Sequence, residues 1–296
     1  MIDNPLITVS VLTYNSSKTI LNTLESIKNQ TYGNIELIIS DDYSKDDTVS
    51  VVNGWITQNS SRFTRCVFLT SDRNVGVTAN LNKVLRIAEG EWHKGIAADD
   101  KLLPECIQDI VDYIKSNPDV DFGFGRVSVV CTDDYRTFSE EMVRKLFLYT
   151  PFLLSKKEFL YLILEENFLP AASAFKKISS IRNLGYYDES IPMIEDWPMW
   201  IKAAAAGMNF GFLDCVVAEY RISPSSVSNN PSSRYMDNLR LVCKKRNQYA
   251  KRINIMLYLH FLMYKHRFGF FRFLDVFNPV HHYYKAIHRK MDKMDI

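Results

Sequence analysis

A chain of 296 residues with 47% hydrophobic content can bury a full core, which excludes a disordered or extended protein. A formal net charge of +2 gives no case for a nucleic-acid binder as a whole. Five cysteines (Cys66, Cys106, Cys131, Cys215 and Cys243) are odd in number and form no C-x-x-C pair, which argues against a disulfide framework or zinc site and predicts reduced thiols, mostly in the core.

In chain order, residues 1–5 carry neither the basic region nor the apolar segment of a signal peptide. Residues 6–12 are a β-branched run without helical period, the pattern of a buried central strand. The polar loop Thr13-Tyr14-Asn15-Ser16-Ser17 offers helix caps, and Ile20, Leu24 and Ile27 then form an apolar stripe. A second strand, 35–40, ends in Asp41-Asp42 before a helix carrying Val49, Val52 and Trp55. Residues 67–69 read as a short strand, 74–76 as a turn and 78–88 as a helix with Leu81, Val84, Leu85 and Ala88 inward. Residues 91–98 are extended and end in Asp99-Asp100; Pro104 opens a helix with Ile107, Ile110, Val111 and Ile114 on one face. Four strand-helix alternations in about a hundred residues predict an α/β fold with a doubly wound, mainly parallel sheet in α/β/α layers. Ligands of such sheets bind beyond the carboxyl ends of the strands, where both acidic pairs are expected. Two adjacent carboxylates make a weak Mg²⁺ or Mn²⁺ site that needs a phosphate-bearing substrate to complete it.

Residues 120–130 form a strand whose Gly123 and Gly125 permit close approach of another backbone or a ligand. Residues 133–166 are aromatic and charged, with a helix over 156–164, an insertion suited to shaping a second substrate's pocket. Residues 169–175 read as a strand of small residues and 185–189 as a turn. Glu195-Asp196 leads into a helix with Trp197, Trp200, Ile201 and Ala204 on one face, ended by Gly207. Two short strands, 209–213 and 216–220, precede a polar loop over 221–228. From Lys244 onward there are twelve Lys or Arg against three Asp, interleaved with aromatics as in Phe268-Gly269-Phe270-Phe271-Arg272-Phe273. That composition suits a helix on an anionic membrane surface; over 236–264, ordinary packing of an apolar face on the main domain fits equally. No apolar run is long enough to span a membrane.

The joint order of Val9-Ser10-Val11-Leu12-Thr13-Tyr14-Asn15, Ile39-Ser40-Asp41-Asp42-Tyr43-Ser44, Gly90-Glu91-Trp92, Ala98-Asp99-Asp100, Glu195-Asp196-Trp197 and Tyr220-Arg221 resembles the inverting family 2 glycosyltransferases of GT-A fold, especially bacterial enzymes of capsule and O-antigen polysaccharide assembly. The resemblance covers residues 6–228. It implies a nucleotide-diphospho-sugar transferase domain over 1–228, with a nucleotide-binding half to about residue 130 and an acceptor half beyond it. Residues 229–296 would be a helical, basic and aromatic extension.

The same resemblance assigns roles. Thr13, Tyr14 and Asp42 would grip base and ribose, with Asn15 fixing their loop and Asp41 capping the strand end. A carboxylate at Asp42 suits a uracil imide N–H, which makes a UDP-sugar the expected donor. Ala98-Asp99-Asp100 takes the place of the family's D-x-D; with alanine first, Asp100 is left to hold Mn²⁺ or Mg²⁺ and Asp99 to contact ribose or a bridging water. Arg221 would meet the diphosphate. Some relatives place a histidine ligand two residues beyond that arginine; this chain has Ser223, so no third ligand is predicted. Asp196 matches the catalytic base, Glu195 would orient the pocket, and Tyr187 and Trp197 would stack on sugar rings. The function implied is metal-dependent, inverting transfer of a hexose or N-acetylhexosamine to a hydroxyl of a lipid-linked or growing glycan, at the inner face of the cytoplasmic membrane. Two other readings are a sugar nucleotidyltransferase, whose glycine-rich basic loop is missing after the first strand, and a non-catalytic glycan-binding scaffold, against which Asp42, Asp100 and Asp196 stand.

Overall fold

The computed structural model describes residues 4–131, 150–222, 232–265 and 278–293. The first half alternates strand and helix as predicted: β1 (Ile7–Thr13), α1 (Ile20–Lys28), β2 (Ile35–Asp41), α2 (Thr48–Asn59), β3 (Arg65–Leu69), α3 (Val77–Ile87), β4 (Trp92–Ala97), β5 (Lys101–Leu102) and α4 (Cys106–Ser116). The second half holds β6 (Phe122–Cys131), α5 (Lys156–Glu165), β7 (Ala174–Lys177), α6 (Ile178–Asn183), α7 (Asp196–Ala205) and β8 (Phe210–Ile222). Three helices follow: α8 (Ser233–Ile253), α9 (Ile255–Lys265) and α10 (Pro279–Asp292).

The strands form one sheet in the order β3-β2-β1-β4-β7-β6-β8-β5. Strands β1, β2, β3 and β4 are mutually parallel, and β6 runs parallel to β8. Between these blocks β7 is antiparallel to both β4 and β6. Every residue of β2 is buried, as a central strand with helices on both faces requires. The register pairs Thr13 with Asp41 and Leu12 with Ala97, so β1, β2 and β4 end along one edge.

Three sequence expectations need correction. Residues 171–173 form a 3₁₀ turn, and the strand starts only at Ala174; the turn opens after Pro170, whose carbonyl accepts from the Ser173 N–H at 3.1 Å. The two short strands over 209–220 are a single strand, β8, that absorbs Asp214 and Cys215 where its register against β6 shifts. Among the cysteines whose side chains are described, only Cys106 is fully buried, while Cys66, Cys215 and Cys243 are half-buried. Residues 132–149 of the aromatic insertion, Ser223 and the aromatic run 268–273 lie outside the described residues.

The β6 glycines admit side chains of neighbouring strands. A Cβ on Gly123 would lie 2.0 Å from the Phe175 ring, and one on Gly125 would lie 2.6 Å from Val217. Across the sheet, Trp200 of α7 packs edge-on against Phe122 and Phe124 at 5.8 and 5.0 Å. The C-terminal helices join this same core: Val242 and Ala250 from α8, Leu257 and Phe261 from α9, and Val280, Tyr284 and Ile287 from α10 cluster with Trp197 and Trp200. Each large apolar side chain so buried contributes about 2 kcal/mol. The Tyr284 hydroxyl adds a bond to the Tyr161 carbonyl at 2.8 Å. Among the described residues no helix is long and apolar enough to cross a membrane.

Candidate functional site

The carboxyl edge of β1 and β2 is built from loops that lock one another. The Thr13 carbonyl accepts from the Asp42 N–H at 2.9 Å. Asp41 accepts from both the backbone and the hydroxyl of Ser44, a local cap that closes the turn after β2. Asn15, at φ +51°, accepts from the Lys45 N–H at 2.7 Å and donates its own N–H to Ser44 Oγ at 2.8 Å, so it ties the two loops together. Tyr14 and Tyr43 stand exposed, at 49% and 39%, with Lys45 Nζ 3.1 Å from the Tyr43 ring centre. The Thr13 hydroxyl is buried and has no partner among the described residues.

Asp42 is already engaged. Its two oxygens accept from the N–H groups of Val75 and Gly76, each at 2.8 Å. A carboxylate has about four acceptor positions, so two remain, but its first task here is to hold the turn before α3. Gly76 is at φ +88°, a conformation that disfavours a side chain, and a Cβ there would meet the Pro192 carbonyl at 2.8 Å. The turn thereby brings the β1–β2 edge against the segment leading to α7.

The second acidic pair follows β4. Asp99 is exposed and lies within attractive range of Arg221. Asp100 is buried; its Oδ1 accepts from the Arg221 N–H at 2.8 Å, and its carbonyl accepts from the Thr23 hydroxyl at 2.7 Å. Burial pushes the Asp100 carboxyl up to about 7, with the negative Asp99 adding to the rise and the Arg221 N–H and Lys94 opposing it. Among the described residues no group of three or more His, Cys, Asp or Glu could hold a metal by itself. One buried carboxylate with an acidic neighbour suits a hard cation that takes its remaining oxygens from substrate phosphates and water.

The third group lies at the start of α7. Asp196 Oδ2 accepts from Asn167 Nδ2 at 2.9 Å, and Oδ1 accepts from the Trp197 N–H at 2.7 Å. Burial raises the proton affinity of Asp196. It also pushes Glu195 up to about 7, with Asp196 as the second cause. Tyr187 and Tyr235 face the same pair. Asn167 Oδ1 and the Tyr187 hydroxyl are buried without partners among the described residues, polar capacity that a substrate hydroxyl could use.

Trp197 and Tyr187 are corrected as stacking surfaces. Trp197 is 6% exposed and donates from Nε1 to the Ile163 carbonyl at 2.6 Å. Tyr187 is 4% exposed, with its ring under Lys176. Aromatics beside an acidic motif suit sugar rings, yet both of these belong to the core cluster that carries α7.

Sequence reasoning missed two lysines that link these groups. Lys94 and Lys176 are both buried. The register pairs His93 with Lys176 and Lys94 with Phe175, and strand alternation sends the two lysines to opposite faces. Lys94 donates to the carbonyls of Ala172 and Gly95 and faces Asp100. Lys176 lies 5.8 Å from the ring centres of Tyr187 and Trp200. Burial and then Lys94 pull it down to about 8, while Glu195 and Asp196 oppose the fall. His93, bonded through Nε2 to Ser10 Oγ at 2.8 Å, is held neutral by burial and by both lysines. A charged lysine in an apolar strand was the available signal, since burying one requires compensation nearby.

The sequence matches the model described as Glycosyl transferase family 2 over residues 8–175. It is 28% identical over 221 residues to an uncharacterized glycosyltransferase of Methanocaldococcus jannaschii, covering 74% of this chain and 72% of that protein. It is 25% identical over 228 residues to UDP-Glc:alpha-D-GlcNAc-diphosphoundecaprenol beta-1,3-glucosyltransferase WfaP of Escherichia coli, covering 76% and 80%. Among solved structures it aligns with S. aureus TarS 1-349 in complex with UDP-GlcNAc at a TM-score of 0.64 and 18% identity, covering 87% of this chain and 72% of that one. That likeness speaks to the fold.

Proposed function

The chain belongs to glycosyl transferase family 2, and from that premise we propose that it moves a hexose or N-acetylhexosamine, with inversion, from a UDP-sugar to a hydroxyl of a lipid-linked or growing glycan in surface polysaccharide assembly. The observation that carries the reading is the family match over residues 8–175; it is supported by a buried carboxylate, Asp100, in the turn after β4 and by Asp196 held by Asn167 and the Trp197 N–H at the start of α7. The relatives agree: the WfaP name specifies a UDP-Glc donor and a diphosphoundecaprenol-linked acceptor, and TarS has been crystallised with UDP-GlcNAc.

In this mechanism Thr13, Tyr14 and Asp42 hold the nucleoside at the β1–β2 edge, with Asn15 keeping their loop closed and Asp99 reaching the ribose. Arg221 meets the diphosphate beside Asp100. Mn²⁺ or Mg²⁺, held by Asp100 and donor phosphates, would neutralise charge on the leaving diphosphate. Asp196 takes the proton of the acceptor hydroxyl as its oxygen bonds to the anomeric carbon and the bond to the diphosphate breaks. Burial strengthens Asp196 as a base, Asn167 aims it, and Glu195 orients the pocket beside it. Lys176 keeps two adjacent acids tolerable in a buried site.

Peripheral contact with an anionic membrane at its inner face belongs to the same proposal. Ile253, Ile255 and Leu259 are exposed at the junction of α8 and α9, next to the exposed Lys251 and Arg252, a pairing of apolar and basic groups suited to a lipid surface. A screen of UDP-, GDP- and dTDP-sugars for thermal stabilisation, with and without Mn²⁺, tests the donor class. If no nucleotide sugar stabilises the protein or is turned over, the reading is wrong.

A further inference from the structure

On the face of α7 opposite Trp200, a cavity of about 550 Å³ opens between α3, the turn at 185–189, α7 and α8. Tyr187 reaches its wall, but Asp42, Asp100, Glu195, Asp196 and Arg221 do not line it, and Trp200 packs on the sheet side of α7. Five cations line the cavity, Arg86, Lys202, Lys245, Arg246 and Arg252, against two acids, Asp188 and Glu189. The acids are already paired, Asp188 with Lys245 at 2.5 Å and Glu189 with Arg86 at 2.7 Å. Among the described residues the other three cations have no carboxylate within ion-pair distance. Lys202 Nζ rests on the Tyr186 carbonyl at 3.1 Å. Burial lowers its proton affinity, with Lys245 adding to the fall and Asp188 opposing it. Arg246 is 1% exposed, lies 4.1 Å over the Phe261 ring and leaves its Nη1 without a partner among the described residues.

A single carboxylate would leave most of this charge uncompensated. A diphosphate carries enough negative charge and enough acceptor oxygens for two guanidinium forks and an ammonium, and the cavity has room for an attached chain. We propose that the cavity between α3, α7 and α8 is a second anion site, separate from the nucleotide crevice, that binds a diphosphate group. The group would come either from free diphosphate or from the headgroup of a prenyl diphosphate. Neither source requires the donor assignment above to be right.

The test is calorimetric titration of the full chain with inorganic pyrophosphate, in EDTA and with saturating UDP present. Binding that persists under UDP and weakens at least about tenfold in the double variant Lys202→Gln/Arg252→Gln is the expected result. Asp100→Asn, in the other site, should bind pyrophosphate as the parent does. Lys202→Arg keeps the charge and should stay within about threefold of the parent, which separates lost recognition from lost folding. Geranyl diphosphate binding about tenfold tighter than pyrophosphate assigns the site to a lipid headgroup, whereas equal binding assigns it to free diphosphate; both support the proposal. Absence of pyrophosphate binding under UDP, or binding unchanged in the double variant, overturns it.

Discussion

Asn82 of α3 clasps the backbone of Tyr187 from both sides, accepting its N–H at 3.1 Å and donating to its carbonyl at 3.0 Å. One amide thereby satisfies two buried backbone groups and also reaches Glu189 Oε1 at 2.8 Å. The clasp ties the turn before α7 to α3. Asn82→Ala leaves both backbone groups buried without partners, a loss of about 2 to 4 kcal/mol. Urea denaturation measures it, and an unchanged midpoint would show that water replaces the side chain.

Asp196→Asn keeps the shape and one hydrogen-bonding oxygen while removing the base. Turnover should fall about 10² to 10⁴-fold, with UDP affinity within about threefold of the parent. A variant that kept a tenth of the parent rate would remove Asp196 from the chemistry.

The Glu195–Asp196 pair also dictates pH behaviour. Glu195 rises from 4.5 in the unfolded chain to about 7 when folded, through burial first and Asp196 second. Its contribution to stability is therefore fully present below pH 4.5 and is lost as pH rises through about 7. Glu195→Gln cannot ionise, so it should be more stable than the parent above about pH 8, by at most about 3 kcal/mol, with no difference at the acid end. Thermal melts across pH read this directly, and a gap that widened toward acid would contradict the sign.

Turnover should climb with pH as the same pair loses its proton. Lys176 favours the ionised acids, so Lys176→Met should move the rising limb of the kcat profile to higher pH by about one unit, and Lys176→Arg should restore most of it. A limb that stayed in place in Lys176→Met would reduce the lysine to a packing role.

Gly123→Ala tests the sheet itself. The new methyl would collide with the Phe175 ring, which is wedged between Trp92 and Tyr113 at 5.9 and 5.7 Å. With little room to move, the cost should be about 3 kcal/mol or more, read from chemical denaturation. A neutral result would mean that β6 and β7 shift apart easily.

Much of the fold was legible where a pattern had a single physical reading. Residues 6–12 and 35–40 are β-branched, mostly apolar runs without helical period, which read as covered strands, and the stripes at Ile20, Leu24, Ile27 and at Ile107, Ile110, Ile114 read as helices with one face inward. Elsewhere local chemistry was ambiguous. Ala171-Ala172-Ser173 is small enough for either strand or turn, and the contacts around β7 settled it. Asp214-Cys215 looks like a break, yet a bulge carries the strand through. In the candidate site, Asp42 and Asp100 stand out in the sequence because they follow strands, and Asp196 only through the resemblance. Lys94 and Lys176 do not stand out, because a lysine read alone suggests solvent, and only the sheet register shows how deeply each is enclosed.

Strand β7 runs against both neighbours and is hydrogen-bonded to each. The β1–β4 block and the β6–β8 block are thus stitched along a shared seam, and among the described residues the sheet offers no hinge between them. Whatever opens to admit substrates must be the loops at the sheet's rim, so the pace of the catalytic cycle should answer to substitutions in those loops and be largely deaf to changes that stiffen the body beneath them.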